Sequence, residues 1–138
     1  MSPVGWALLT ALVWGVVPLL EKVGLGSTAP SIGVFMRSFG VAIGALLVAL
    51  AVNPWAELGR MPISAMALLA GGGFLASVVG QMSFYQALKL GEVSRISPIV
   101  GTYPLVAALL GWCVLREPFT LGRLVGVVLI VGGLALLR

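Results

Sequence analysis

The third long apolar stretch of the sequence, residues 62–90, carries polar side chains at positions that a membrane-spanning helix would place inside the bilayer. Small and polar residues recur here at every fourth position, as Gly73, Ser77, Gln81 and Tyr85. Residues with this spacing lie on one slowly drifting face of a helix. A polar side chain at membrane depth is costly unless it faces protein or water, so Ser77, Gln81 and Tyr85 are candidates to hydrogen-bond a solute along a substrate path. The alternative is that this face packs against other helices through hydrogen bonds and small residues.

Arg37 is the charged residue inside the second apolar stretch. It lies seven residues into that stretch, roughly 10 Å along a helix that rises 1.5 Å per residue. The same face also carries Gly33, Gly40 and Gly44. Two interpretations stay open. Arg37 either attracts an anionic group of a substrate or a coupling carboxylate, or it forms a structural ion pair with Glu21 from a depth that allows partial snorkelling.

The first apolar stretch has a comparable face, with Thr10, Trp14, Pro18 and Glu21. Pro18 removes a backbone hydrogen bond and bends the helix, which can open a gap between neighbouring helices. Trp14 lies too deep for the interfacial belt that membrane tryptophans usually occupy. We therefore expect Trp14 either to line a cavity or to pack against a neighbouring helix.

In the fourth apolar stretch two prolines, Pro98 and Pro104, flank Gly101, Thr102 and Tyr103. Prolines this close should distort the helix and free backbone carbonyls, which a membrane protein tolerates where protein or a water-filled cavity receives them. Broken helices accompany binding sites in transporters, so Thr102 and Tyr103 are further candidates for substrate contact. Ordinary kinking of the helix is the alternative.

The composition identifies the elements that must position these residues. Of the 138 residues 60% are hydrophobic and 9% are charged, with a mean hydropathy of +1.16, whereas soluble domains have about 25% charged residues. Crossing the hydrocarbon takes about 20 apolar residues. The sequence therefore predicts an all-α membrane protein, a bundle of five antiparallel transmembrane helices in a single domain. The five predicted spans cover residues 3–23, 30–52, 62–90, 94–115 and 119–137. We expect the first of them to be a retained transmembrane helix and not a cleaved signal peptide.

Several functions are disfavoured by the residue inventory. The chain has no histidine and one cysteine, Cys113, so an internal disulfide, a metal site and a cofactor are not expected. Phosphate-binding loops, catalytic triads and paired catalytic carboxylates are missing from the sequence, and an enzyme is not expected. The net charge of +4 is spread over helix ends and does not form the clustered basic patch that is typical of nucleic-acid binding. The expected partners are the lipid bilayer and a small-molecule substrate.

A tight turn is predicted between the last two spans. Arg116 would end the fourth helix, where a cation favours the carbonyl end of the helix dipole, and Glu117 would precede the fifth, where an anion favours the amide end. Pro118 fits the first position of the fifth helix. This capping role explains Glu117 without a function in transport.

The same region resembles the end of an EamA domain of the drug/metabolite transporter superfamily. The resemblance covers "QALKLGEVSRISPIVGTYPLVAALLGWCVLREPFTLGRLVGVVLIVGGLALL", and the first half agrees through "WALLTALVWGVVPLLEKVG" and "FMRSFGVAIGALLVAL". It implies secondary transport of small metabolites, amino-acid-like solutes or drugs by alternating access, in the inner cell membrane. Many members carry two such domains, and this chain has one, so a homodimer is expected.

Two other functions stay open. A member of this superfamily that moves a lipid-linked or amphiphilic solute would have a cavity open sideways to lipid. A membrane scaffold or partner subunit without transport activity would tolerate apolar residues at Gln81 and Tyr85. A four-helix multidrug pump is less expected, because such pumps place an essential glutamate in the middle of the first helix and Glu21 falls near its end.

The last span and the flanking charges bear on assembly. Four glycines form a small-residue surface that predicts a close contact between the final helices of two subunits: Gly122, Gly126, Gly132 and Gly133. Five spans place the termini on opposite sides, and the flanking cations are nearly balanced between those sides. Arg60, Arg116 and Arg123 lie on one, and Lys22, Lys89, Arg95 and Arg138 on the other. This weak bias favours insertion in both orientations and antiparallel pairing, with a parallel dimer as the alternative.

Overall fold

The computed structural model describes residues 2–118 and 120–136, and the regular elements in these ranges are helices. The chain divides into two compact units, Met1–Leu90 and Gly91–Arg138. Most large apolar side chains of the described residues are exposed, which suits a protein whose solvent is lipid. This confirms the prediction of an all-helical protein with helices long enough to cross a membrane.

The first unit begins with two long helices, α1 (Pro3–Leu25) and α2 (Pro30–Val52). Ser2 precedes α1, and its hydroxyl accepts a hydrogen bond from the Gly5 amide at 3.1 Å, as an N-cap does. Both helices start with a proline, which lacks the amide hydrogen that the first turn leaves unpaired. The turn between them is four residues long, so α1 and α2 run antiparallel.

The third span is built from two α-helical parts with a π-helical segment between them. A short helix, α3 (Trp55–Leu58), which was not predicted, precedes α4 (Ile63–Phe74), the π-helical segment Leu75–Gly80, and α5 (Gln81–Leu90). A Cβ atom at Gly80 would lie 3.3 Å from the Leu75 carbonyl oxygen, so a residue without a side chain suits this turn. Because a π-helical turn contains more residues than an α-helical turn, the face of α5 is rotated relative to that of α4.

The second unit contains α6 (Val93–Val100), α7 (Tyr103–Cys113) and α8 (Leu121–Ala135). Gly101 and Thr102 interrupt the fourth span between α6 and α7, in agreement with the distortion expected from the two prolines. Pro98 lies inside α6, whereas Pro104 lies in the first turn of α7, where its missing amide hydrogen costs nothing.

The predicted start of the last helix is wrong. Pro118 does not begin it, because α8 starts at Leu121 and the Thr120 hydroxyl accepts a hydrogen bond from the Arg123 amide at 3.4 Å. Arg116 adopts the left-handed backbone region, with φ of 54°, and the Glu117 amide donates to the Gly111 carbonyl at 3.1 Å. These contacts extend the turn beyond the length that the proline suggested.

Among the described residues, four helical segments are long and apolar enough to cross a membrane: Pro3–Leu25, Pro30–Val52, Ile63–Leu90 and Val93–Cys113. Helix α8 has 15 residues, about 22 Å at 1.5 Å per residue, and is apolar over Leu121–Gly133. It is shorter than the hydrocarbon core of about 30 Å. The prediction of a fifth span therefore stays a prediction.

Candidate functional site

Three side chains from the first unit converge on the carboxylate of Glu21. The Gln81 amide donates from Nε2 to Glu21 Oε1 at 2.9 Å, and the Tyr85 hydroxyl donates to the same oxygen at 2.9 Å. Arg37 Nε lies 3.4 Å from Glu21 Oε1. We call these four residues the Glu21 cluster. The ion pair considered for Arg37 is therefore present, and two polar residues of the third span are bonded to the same acid.

The helices around the cluster explain why these side chains meet. Glu21 lies near the end of α1, Arg37 in the first half of α2, and Gln81 and Tyr85 in the first half of α5. The Tyr85 ring lies against the backbone of Gly33, where an added Cβ atom would come within 2.9 Å of Tyr85 Cε2. A glycine at this position thus lets α2 and α5 approach closely enough for the hydroxyl to reach Glu21.

Two polar atoms of the cluster are buried without a hydrogen-bond partner among the described residues. They are Glu21 Oε2 and Arg37 Nη1. The Glu21 side chain is 11% exposed and the Arg37 side chain 32% exposed. Buried polar atoms are normally bonded, and an exception needs an explanation such as a bound group. The cluster therefore offers one free acceptor and one free donor.

An open groove of about 430 Å³ adjoins the cluster. Glu21, Arg37 and Tyr85 form part of its wall, and the remainder is mostly apolar. The other lining residues are Leu20, Gly24, Leu25, Thr28, Ile32, Gly33 and Met36. The volume is within the range of sites for small molecules, which are usually apolar pockets with a few placed polar groups.

Two lysines join the ends of α1 and α5 beside this groove. The Lys22 ammonium donates to the Leu88 carbonyl. Lys89 donates to the carbonyls of Ser27 at 3.3 Å and Thr28 at 2.8 Å. A cation is favourable near the carbonyl end of a helix, so each lysine stabilises the end of the opposite helix or the turn that follows it.

The sequence-predicted residues divide into those within the cluster and those outside it. Arg37, Gln81 and Tyr85 lie within it. Trp14 is 58% exposed and does not line the groove, and Ser77 is part of the π-helical segment, where it is partly exposed. Their proposed substrate contacts stay predictions without support from this groove.

The remaining candidates belong to the second unit. The Thr102 hydroxyl donates to the Ile99 carbonyl at 2.7 Å, and Tyr103 is 55% exposed. Glu117 Oε2 lies 3.6 Å from Arg123 Nη1, which also donates to the Pro118 carbonyl at 2.8 Å. Both charged side chains are more than half exposed, so the pair contributes little to stability.

The small-residue surface of α8 has open space around it. A Cβ atom added at Gly122, Gly126, Gly132 or Gly133 would meet no atom of the described residues within 4 Å. Pro18 lies inside α1, three residues before Glu21, and α1 continues through it to Leu25.

Glu21 is not among the predicted substrate-path residues, although the structure puts its carboxylate at the centre of the cluster. The available signal was an acid near the end of the first span together with an arginine inside the second. Lys22 and Lys89 were counted only as flanking charges. Their bonds to carbonyls of other segments have no signature in the local sequence.

The chain is similar to known proteins over nearly its whole length. A model of the EamA-like transporter family matches residues 1–138. An uncharacterized transporter from the cobO 3' region of a Sinorhizobium species is 26% identical over 132 residues, or 96% of this chain and 93% of that protein. An uncharacterized protein of Pseudomonas aeruginosa is 34% identical over 138 residues, or 98% of this chain and 46% of that protein, so the chain spans about half of that relative. No solved structure matches the chain.

Proposed function

This chain belongs to the EamA-like transporter family, and from that premise we propose that it is a secondary transporter of a small metabolite, an amino-acid-like solute or a drug. Transport proceeds by alternating access in the inner cell membrane. The family and the Sinorhizobium relative, which is named a transporter, support the general class. The substrate and the mechanism are our proposal.

The observation that carries this proposal is the groove beside the Glu21 cluster. It combines apolar walls with one free buried acceptor and one free buried donor. Ionisable residues within membrane spans are rare and mark substrate or ion pathways. A purely structural ion pair would be expected to satisfy both Glu21 Oε2 and Arg37 Nη1, because each unsatisfied buried group costs free energy.

Transport can be tested without knowing the solute. Metabolite levels inside and outside cells are compared with and without the protein, and solutes that change are then followed in reconstituted vesicles. We expect at least one small polar solute to be redistributed. If no solute moves in vesicles that contain folded protein, the transport proposal is wrong.

We propose that α8 provides a fifth span and that the transporter is a homodimer. The Pseudomonas relative is about twice as long as this chain, which supports a working unit of two such regions. The open glycine surface of α8 suits a close crossing of two helices.

Gly126→Leu is expected to convert the dimer to a monomer in mild detergent, because the leucine side chain prevents close approach of the two α8 helices. Size-exclusion chromatography with light scattering measures the mass. Gly15→Leu in α1, where an added Cβ atom also has open space, is the matched control and should remain dimeric. An intact Gly126→Leu dimer would exclude this interface.

Cysteine labelling can test whether the chain inserts in both orientations. After Cys113→Ala, single cysteines are placed at Ser27, in the turn after α1, or at Glu57, in α3. Each should react with a membrane-impermeant reagent in about half of the molecules, because the near balance of flanking cations gives little orientation bias. Complete labelling at one position with none at the other would mean one orientation, and the antiparallel dimer would be abandoned.

A flippase for an amphiphilic solute is the second candidate function, and the exposure of the groove walls favours it. Leu20, Ile32 and Met36 line the groove and are 65%, 53% and 58% exposed. Apolar walls of this kind can accept an acyl chain. Movement of a fluorescent lipid between leaflets of reconstituted vesicles, without flux of soluble metabolites, would support this function over the first.

A further inference from the structure

Arg37 is only loosely engaged with Glu21. Its Nε lies 3.4 Å from Glu21 Oε1, beyond the usual 2.7–3.2 Å of an N–H to oxygen hydrogen bond. Its Nη1 is buried without a hydrogen-bond partner among the described residues. An arginine presents five N–H donors in a planar fork, and that fork matches a carboxylate in a bidentate arrangement. Arg37 therefore has N–H donors that Glu21 does not use, and these can bind another anion.

Glu21, by contrast, has hydrogen-bond donors other than Arg37. Its Oε1 accepts hydrogen bonds from Gln81 and Tyr85 at 2.9 Å each. Both donors lie on α5, whereas Arg37 lies on α2. If Arg37 turned toward another anion, the two α5 donors would still stabilise the Glu21 carboxylate. Glu21 therefore keeps two hydrogen bonds when its cation changes partner.

The local charge balance also favours an anion. Within the first unit, the described charged groups at this end are Arg37, Lys22 and Lys89 against Glu21, three cations and one carboxylate. Lys89 bonds the carbonyl of Thr28, which itself lines the groove. A site with this excess of positive charge attracts anions and disfavours a second cation.

We propose that the groove binds a solute through a carboxylate group, which Arg37 recognises in competition with Glu21. The apolar body of the solute lies along Leu20, Ile32 and Met36. This inference rests on the proposed transport function and adds its substrate class. Glu21 weakens the binding that Arg37 provides, so that a bound carboxylate can be released again.

The test uses the full chain in lipid nanodiscs with three probes that share a five-carbon chain: pentanoate, pentylammonium and pentan-1-ol. Binding is measured by isothermal titration calorimetry. Pentanoate should bind more tightly than the other two probes. The heat of pentylammonium reports binding of a cation, and the heat of pentan-1-ol reports partition into lipid. Arg37→Gln should weaken pentanoate binding by about tenfold or more, because it removes a charge-assisted bidentate contact.

Glu21→Gln gives the distinguishing result. The glutamine side-chain oxygen can still accept from Gln81 and Tyr85, but the negative charge that competes for Arg37 is gone. Pentanoate should therefore bind several-fold more tightly to Glu21→Gln than to the unmodified protein. Arg60→Gln, which removes an exposed arginine between α3 and α4, is the control and should leave pentanoate affinity unchanged.

Other outcomes would overturn the proposal. Selective binding of pentylammonium that is lost in Glu21→Gln would make Glu21 the recognition group and the substrate a cation. Equal binding of all three probes would indicate an apolar site only. If Arg37→Gln fails to fold, Arg37→Lys replaces it, because lysine keeps the charge without the fork. Unchanged pentanoate affinity in Arg37→Lys would then be the contradicting result.

Binding and transport can fail separately. If no solute moves in vesicles but pentanoate binding depends on Arg37, the transport proposal is wrong and the carboxylate site stands. If the protein transports a solute without a carboxylate, and pentanoate binding is indifferent to Arg37, the substrate class is wrong and the transport proposal stands.

Discussion

Gln81→Leu is expected to reduce solute flux in reconstituted vesicles by about ten- to a hundredfold, while the protein still inserts and folds. The substitution removes the hydrogen bond from Gln81 Nε2 to Glu21 Oε1. A hydrogen bond to a charged group contributes about 1.5–3 kcal/mol to the structure that contains it. Our proposal requires the intact Glu21 cluster for transport, so a loss of this size in the population of the intact cluster corresponds to that range, since each 1.4 kcal/mol is a factor of ten. Insertion should be unaffected, because leucine is favourable inside a membrane helix.

The measurement is the initial rate of flux, normalised to the amount of helical protein recovered in the vesicles. Gln86→Leu is the matched control. Gln86 lies on the same helix five residues later and is exposed, so its replacement should change flux less than about twofold. Equal flux in Gln81→Leu and the unmodified protein would exclude a role of the Glu21 cluster in transport.

Gly33→Ala is expected to have the second largest effect, a loss of about 1–3 kcal/mol in the free energy of unfolding together with reduced flux. The added Cβ atom would lie 2.7 Å from Leu25 Cδ2 and 2.9 Å from Tyr85 Cε2. Overpacking of this kind typically costs about 1–3 kcal/mol. If the tyrosine ring moves to relieve it, the hydroxyl leaves Glu21 Oε1 and another partner of the carboxylate is lost.

Unfolding can be followed by circular dichroism during titration with a denaturing detergent. Gly40→Ala is the control, because it lies on the same helix and an added Cβ atom there would meet nothing within 4 Å. Alanine is favoured over glycine inside a helix by about 0.5–1 kcal/mol, so Gly40→Ala should be neutral or stabilising. A Gly33→Ala protein as stable as Gly40→Ala would show that Tyr85 is not packed against this backbone.

Much of the architecture follows from the sequence because the bilayer imposes a length and a polarity on each segment. Apolar runs of sufficient length predict five spans, and for four of them the described residues form helices long and apolar enough to cross a membrane. The starts of α1 and α2 at Pro3 and Pro30 follow from local backbone chemistry. The start of α8 was mispredicted because Pro118 and Thr120 both fit a helix start, and local signals do not decide between them.

The candidate site was predicted in part. Arg37, Gln81 and Tyr85 attract attention from sequence alone, because each is a polar residue where burial is costly. Glu21, their common partner, cannot be identified in this way, because its role depends on which faces of three helices meet. A periodic pattern gives the face of one helix, but it contains no information on the rotation of that helix relative to its neighbours.

By itself the sequence determined that this protein lies in a membrane, that it is helical, where its four long apolar helices lie, and which polar residues need an explanation. Only the tertiary structure decided which of those residues act together. The π-helical segment Leu75–Gly80 rotates α5 relative to α4, and the absence of a side chain at Gly33 lets Tyr85 approach α2. The contacts of Glu21 with Gln81 and Tyr85 join residues about sixty positions apart, and contacts of that range are set by how helices pack, which no local stretch of sequence encodes.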